Sequence, residues 1–335
     1  MAKSKEIEDM AKQYWGTALL ENKELMQEYL DSSTELSNKT LLQYESALRI
    51  FVSYLNKACG NKHLTKVTPL DFKKYLNYLY KCGILESAMK AKRSPISMLN
   101  EHIILYHGEE FNTFRNYVTK AVKTPSTEKR YVKEPLTGAE YKALCDYLEE
   151  KGEWQKLAYF KFTYCTGCRC NESRQLLKEV VNYEPILKTI KLKDEDGKPY
   201  NADVKKYKTN LIKTKGKKSK EKVKLSFDEE TMGYLKKWLE IRGEDDCPYM
   251  FITHKEAPKQ VGEDVFRYWC KALEPIVGRR FHPHLIRSSR ATGLSVEENM
   301  PIEAIQRLLG HQSSETTKIY IMKDDSDDED EIFAR

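Results

Sequence analysis

The stretch from residue 123 to 135, KTPSTEKRYVKEP, most limits what this chain can fold into. It is polar and basic, lacks an apolar period, and carries Pro125 and Pro135. Such a segment adds nothing to a core and reads as a linker. It divides the 335 residues into two blocks, each of domain size. The expected organisation is an N-terminal helical arm (1–30), a helical domain (31–122), the linker (123–135), a mixed domain (136–322) and an acidic tail (323–335).

The first block is helical in pattern. Residues 1–25 are polar and read as a helical arm. Ser37-Asn38-Lys39-Thr40 offers caps before Leu41, Tyr44, Leu48, Phe51, Val52 and Leu55, which recur at three- and four-residue steps. A second helix is predicted from Thr68-Pro69. There Thr68 can cap, Pro69 suits the first helical position, and Asp71 favours the positive helix end. A third is predicted over about 86–106, with Lys90, Lys92 and Arg93 on one turn, and a fourth over about 109–122.

The second block is mixed. Thr137 and Glu140 predict a capping box, with Leu136 and Tyr141 placed as a hydrophobic staple. An aromatic-rich helix is expected over 154–165. Strands are expected near 185–193, 207–214 and 222–227, with turns at Asp194–Gly197 and Gly216–Ser219. Helices return at about 261–273, 284–296, 301–309 and 314–321. The fold class is therefore mainly α with a small antiparallel sheet.

Composition sets outer limits. With 40% hydrophobic and 32% charged residues, both blocks can bury cores. No apolar run approaches the ~20 residues of a membrane span, and MAKSKEIEDMAKQYWG lacks a signal-peptide core. A cytoplasmic protein without membrane partners is expected. Cys165-x2-Cys168-x-Cys170 invites a metal reading, but no second Cys or His pair follows at zinc spacing. The three thiols are read as small buried hydrophobes, and no metal is expected. The net charge of +6 hides an asymmetry. The last twelve residues hold seven acids and one arginine, which leaves a net of +12 on the rest. A basic body suits a polyanion.

Four separated patches carry the chemistry. The first is Thr166-Gly167-Cys168-Arg169-Cys170-Asn171-Glu172, followed by Gln175-Leu176-Leu177. The second is the basic hairpin from Leu211 to Leu225, with Lys213, Lys215, Lys217 and Lys218 around its turn. Alone, it reads as a solvated charged turn. The third is His282-Pro283-His284-Leu285-Ile286-Arg287, where His284 and Arg287 stand at i and i+3. Arg offers a fork to two phosphate oxygens, and His can move a proton near neutral pH. The fourth is Leu308-Leu309-Gly310-His311, with Tyr320 nine residues beyond His311. The chain has 21 tyrosines, so only its position relative to the other patches singles out Tyr320.

The ordered set TGxR, K, HxxR and LGH-x8-Y resembles the catalytic domain of tyrosine site-specific recombinases of the phage-integrase and Xer-like type. Upstream, SNKTLLQYESALRIFVSYL and VTPLDFKKYLNYL look like that family's helical SAM-like core-binding domain, so the resemblance covers roughly residues 35–322. It implies a helical DNA-binding domain followed by an α+β catalytic domain. Tyr320 would be the nucleophile. Arg169 and Arg287 would grip the scissile phosphate, and Lys215 would act as general acid, with Lys213 and Lys217 as competitors. His284 would be the general base, His311 would hydrogen-bond the phosphate, and Glu172 would brace the site. Lys90, Lys92, Arg93, Lys213, Lys217 and Lys218 would contact DNA.

The resemblance further implies a 3′-phosphotyrosyl intermediate and a four-way Holliday junction. It implies a homotetramer on double-stranded DNA bearing a specific site, with accessory DNA-bending proteins as further partners. No cofactor is implied. Two departures stand out. Ser288 occupies a place where the family often has histidine, and the chain between Arg169 and the hairpin is long, which predicts an inserted loop near 193–206. Two alternatives share parts of this pattern: a type IB topoisomerase-like relaxing enzyme and a DNA-binding protein that no longer cuts. The tail reads as solvated chain, or as a segment lying on a basic surface of a neighbour.

Overall fold

The structure is a computed structural model that describes residues 2–127, 134–193, 197–214, 222–253, 257–310, 317–318 and 321. It divides into two compact units, Met1–Tyr131 and Val132–Arg335.

The first unit is built from α1 (Ala2–Trp15), α2 (Leu20–Ser32), α3 (Asn38–Ala58), α4 (Pro69–Lys81) and α5 (Glu86–Tyr106). The predicted caps operate. Ser37 Oγ accepts from the Thr40 amide at 3.2 Å to start α3. Thr68 and Asp71 complete a reciprocal capping box at the head of α4, with Pro69 inside its first turn. The apolar faces of these helices meet in one core, where the Phe51 ring lies 4.9 Å from Tyr75 and 6.0 Å from Phe72, centroid to centroid. Aromatic groups at such separations contribute beyond their buried area.

Two expectations for this unit are corrected. The polar arm is not a separate element, because Ile7, Met10 and Ala11 of α1 are buried in the same core. With Tyr14 they make a stripe at i, i+3, i+4 and i+7, which the polar composition conceals. Asn56 fixes α1 by donating to the Tyr14 carbonyl at 2.8 Å. The helix expected over 109–122 is instead a run of turns. Asn116 explains much of it. Its side chain donates to the Ser97 carbonyl and accepts from the Asn100 amide and the Val118 N–H, a local bonding pattern that competes with helix. Phe114 and Tyr117 still reach the core from this strap.

The second unit opens with α6 (Gly138–Glu150), α7 (Trp154–Thr166) and α8 (Cys170–Ser173). The strands β1 (Ile186–Lys193), β2 (Pro199–Lys208), β3 (Ile212–Lys213), β4 (Lys222–Val223) and β5 (Ser226–Asp228) follow. Then come α9 (Glu229–Arg242), β6 (Ile252–Thr253), β7 (Lys259–Gln260), α10 (Glu263–Ala272), α11 (Glu274–Val277), α12 (Pro283–Val296) and α13 (Ile302–Leu309). All strand pairs are antiparallel: β1-β2-β5, β3-β4 and β6-β7. The Thr137–Glu140 box caps α6 as expected. Its carboxylate is also gripped by Arg279, which holds it below the usual carboxylate range against the opposing effect of burial.

α7 is the centre of this unit. Leu157, Ala158, Tyr159, Phe160 and Phe162 are fully buried, and Tyr159 stacks on Phe266 of α10 at 4.0 Å. The inserted loop expected near 193–206 is corrected. From Pro199 onward it is strand β2, paired with β1 from Ile186↔Lys206 to Lys193↔Pro199. Proline, asparagine and several lysines dilute its strand propensity, and only Tyr200, Ala202 and Val204 keep a weak alternation. The helix expected over 314–321 falls mainly outside the described residues, although Thr317 and Lys318 are helical. The turn expected at Gly216–Ser219 also lies outside them.

Candidate active site

The site is assembled where α7 ends. Thr166 closes α7 by donating its hydroxyl to the Phe162 carbonyl at 2.7 Å. Gly167 then turns the chain with φ of +60°, the left-handed region that glycine enters without penalty. A second constraint falls on the same residue. A β-carbon on Gly167 would stand 2.6 Å from Leu309 Cδ2 of α13, so glycine also permits the close approach of two segments far apart in sequence.

Arg169 comes two residues later, just before α8. Glu172 holds it twice, accepting from its backbone N–H at 2.8 Å and from Nη1 at 3.0 Å. The Glu172 side chain is only 5% exposed, so a buried carboxylate fixes the direction of a guanidinium that is 26% exposed. A charge-assisted pair of this kind restricts an arginine more than a neutral partner would. Glu172 thus fixes Arg169 at both its backbone and its side chain.

α12 begins at Pro283, and His282 is its N-cap. The Nδ1 atom of His282 accepts from the Leu285 amide at 3.2 Å. His284 is exposed in the first turn, whereas Arg287, one turn on, is 1% exposed. The Arg287 guanidinium donates from Nη1 to the Gly167 carbonyl at 2.5 Å and from Nη2 to the Leu309 carbonyl at 2.7 Å. One side chain of α12 thereby joins the turn before Arg169 to the end of α13, where Gly310 caps the helix with φ of +62°. Three of the four sequence patches meet at this guanidinium. Ser288 is buried beside it, and its backbone carbonyl accepts from the Thr292 hydroxyl.

The second patch is tied to the first by Gln175, for which the sequence pattern implies no role. Gln175 clips the backbone of Lys213 from both sides, donating from Nε2 to its carbonyl at 3.0 Å and accepting from its N–H at 2.9 Å. Asn210 adds a reciprocal pair, accepting from Leu177 N–H and donating to the Gln175 carbonyl. The strands β3 and β4 then pair Ile212 with Val223 and Lys213 with Lys222. Lys215, Lys217, Lys218, His311 and Tyr320 lie outside the described residues.

The three basic residues of α5 belong to the first unit, and their surroundings differ. Lys90 pairs with Glu86 at 2.6 Å on an exposed surface. Lys92 is half-buried, and burial pulls its ammonium below its ordinary range. Arg93 donates to the Val122 and Thr119 carbonyls, holding the strap after α5. The cysteine trio shows no common centre: Cys168 is buried, Cys165 donates to Asp228 at 3.4 Å, and Cys170 lies by the Tyr159 hydroxyl.

Comparison with known proteins agrees with this architecture. Residues 134–327 match the phage integrase family, and residues 24–100 match the phage integrase N-terminal SAM-like domain. The SPbeta prophage-derived recombinase-like protein YomM of Bacillus subtilis (strain 168) is 29% identical, over 98% of this chain and 95% of that protein. The Tn1549 transposon integrase in complex with transposon right end DNA shares the fold. Its TM-score is 0.66 at 16% identity, over 94% of this chain and 100% of that one. A lambda integrase tetramer bound to a Holliday junction shares it at a TM-score of 0.59 and 17% identity, over 90% of this chain and 77% of that one. The chain belongs to the phage integrase family, the tyrosine site-specific recombinases.

Proposed function

We propose that the chain cuts and rejoins double-stranded DNA at a specific site through Tyr320. The Tyr320 hydroxyl attacks the scissile phosphorus, the bond to the 5′ oxygen breaks, and a 3′-phosphotyrosyl link forms. A tyrosine hydroxyl has a pKa near ~10 in water, so its proton must leave during attack, and His284 accepts it. Arg169 and Arg287 hold the non-bridging oxygens, where fixed positive charge stabilises the phosphorane. Lys215 protonates the departing 5′ oxygen, and His311 hydrogen-bonds the phosphate. The new ester keeps the energy of the old one, so a second 5′-hydroxyl can reverse the step without ATP.

The observation that carries this reading is the Arg287 guanidinium, bonded to both Gly167 and Leu309. It draws the element bearing Arg169 and the chain leading to His311 against the helix bearing His284. The Gln175 clip supports the same reading for the hairpin that bears Lys215.

Four protomers act on two sites through a Holliday junction, a reading supported by the likeness to a lambda integrase tetramer bound to a Holliday junction. DNA integration or transposition is the outcome, aided by accessory DNA-bending proteins, in the cytoplasm at the nucleoid. Among the described residues no helix is long and apolar enough to cross a membrane. The five segments expected from sequence stand as proposed functional divisions, amended for α1 and α2, which join the core-binding domain. Phosphate contacts from Lys90, Lys92, Lys213, Lys217 and Lys218 supply much of the affinity, which therefore falls steeply with salt; Arg93, the sixth basic residue expected at DNA, acts instead as a tie to the Thr119 and Val122 carbonyls.

Covalent trapping tests this proposal. The protein is incubated with a nicked suicide DNA carrying its site and denatured in detergent. Wild type is expected to give a shifted protein–DNA band and Tyr320→Phe none. A band that persists in Tyr320→Phe moves the nucleophile to another tyrosine. Tight site-specific binding with no band from wild type overturns the cutting activity in favour of a non-cutting binder. Relaxation of supercoils without any specific site would favour the topoisomerase alternative.

A further inference from the structure

Far from the arginine knot in sequence, the helical unit gathers two histidines and a glutamate around one point. Glu28 stands on α2, His102 stands near the end of α5, and His107 is the residue that caps α5. Glu28 Oε1 lies 3.1 Å from His102 Nε2 and 3.0 Å from His107 Nε2. Among the described residues this is the one group of three or more His, Cys, Asp or Glu whose ligand atoms converge, all within 4.8 Å of one another.

The convergence depends on how α5 ends. Two residues five apart on an unbroken helix point about 140° away from each other. His107 has left the helix, with φ of −119° and ψ of 19°, while its N–H still bonds the Ile103 carbonyl. Its ring therefore turns back toward His102. The His102 side chain is 7% exposed and is held by the rings of Tyr29 and Tyr106, 5.5 and 4.7 Å away. Glu28 is 47% exposed, so one side of the cluster is open to water.

We propose that Glu28, His102 and His107 form a binding site for a divalent transition metal of the zinc class, which fastens α2 to the end of α5. Imidazole nitrogen and carboxylate oxygen are borderline-to-hard donors that suit Zn²⁺. Bonds of ~2.0–2.1 Å in tetrahedral geometry put neighbouring ligand atoms roughly 3.3 Å apart. The carboxylate oxygen is already 3.0–3.1 Å from each nitrogen. Opening each of these separations by a few tenths of an ångström, with the two nitrogens drawn together from within 4.8 Å, would admit the ion, with water on the open side as fourth ligand. Metal binding needs the Nε2 lone pairs, for which protons compete, so affinity falls with acid. This site is independent of the DNA chemistry.

Titration of the full-length, reduced, metal-stripped protein with Zn²⁺ at neutral pH, followed by calorimetry, tests the proposal. Co²⁺ absorption identifies the ligands. One site per chain is expected, with a Co²⁺ spectrum of nitrogen and oxygen ligation and no thiolate charge-transfer band. His107→Ala and Glu28→Gln should each weaken that site at least ~10–100-fold, with unchanged folding by circular dichroism in chelator. Wild type should also melt higher with Zn²⁺ than with chelator, and the variants should not. A thiolate band, or a site of unchanged affinity in both variants, would assign the metal to cysteines and overturn the proposal. Absence of saturable binding to wild type would overturn it too.

Discussion

Arg93 in the helical unit and Arg287 in the second unit do the same thing with their guanidinium groups. Each reaches two backbone carbonyls outside its own helix. Arg93 joins α5 to Thr119 and Val122, one strap of its own unit. Arg287 joins α12 to Gly167 and Leu309, two segments that each lead directly to a proposed catalytic residue. The bonds are alike, and the consequence depends on what the carbonyls belong to. A basic residue in a DNA-binding chain is therefore not by itself a DNA contact, and an arginine of the catalytic pattern is also a structural tie.

The largest expected effect comes from breaking the second tie while keeping its charge. Arg287→Lys retains a cation but has one ammonium where a planar fork bridged two carbonyls. It should reduce formation of the covalent DNA complex by at least ~100-fold and cost about 1.5–3 kcal/mol of stability, the range for hydrogen bonds to a charged group. Denaturant unfolding and the trapping assay measure the two together. Stability retained with activity lost would mean that Arg287 matters for the phosphate and little for the knot.

Gly167→Ala should come next. It places a methyl 2.6 Å from Leu309 Cδ2 at a φ of +60°, so a destabilisation of about 1–3 kcal/mol is expected. In a double-mutant cycle, Leu309→Ala should recover the clash but not the backbone strain. Full additivity would show that the two segments do not press on each other.

Gln175→Ala should be milder. It removes two bonds to the Lys213 backbone and should cost about 1–2 kcal/mol, slow covalent complex formation, and leave DNA affinity unchanged. Unchanged kinetics would separate the hairpin from the arginine site. On the other side of the comparison, Arg93→Ala should lower the melting temperature yet leave the salt dependence of DNA binding intact, whereas loss of a phosphate contact lowers that slope by about one.

The smallest effect is a pH effect. The Arg242 fork, aided by the Cys247 N–H, holds Asp245 down to about 2. A depressed carboxylate stabilises the fold above its unfolded pKa of ~3.9 and loses that contribution as pH falls through its folded value. Acid unfolding between about pH 4 and 2 should thus be shallower in Asp245→Asn than in wild type.

Much of this fold could be read from local chemistry. The caps Ser37, Thr68 and Thr137 are visible because each precedes an apolar period, and the end of α5 at Tyr106 follows from where its period stops. What was hidden depended on partners distant in sequence. Asn116 gives no sign in the sequence that Ser97, Asn100 and Val118 will be its partners, so the strap looked helical. The stripe in α1 was masked by lysines and acids around it. α9 carries legible signals, Asp228 as its cap and Met232, Leu235 and Trp238 at three-residue steps, in a stretch for which no helix is predicted above. In the site, residue types could be recognised in Arg169, His284 and Arg287, while the Gln175 clip could not. A glutamine that binds backbone leaves no mark in the identity of its partner.

The β1-β2 ribbon has a consequence for handling the protein. β1 is an outer strand of its three-stranded sheet, and Leu187 on it is 73% exposed. An outer strand with bare peptide groups and an apolar side chain is a template onto which another molecule can add its own strand. Lys188 and Lys191 are exposed on the same strand. Their mutual repulsion across two facing copies opposes such pairing, so these lysines act as guards against aggregation.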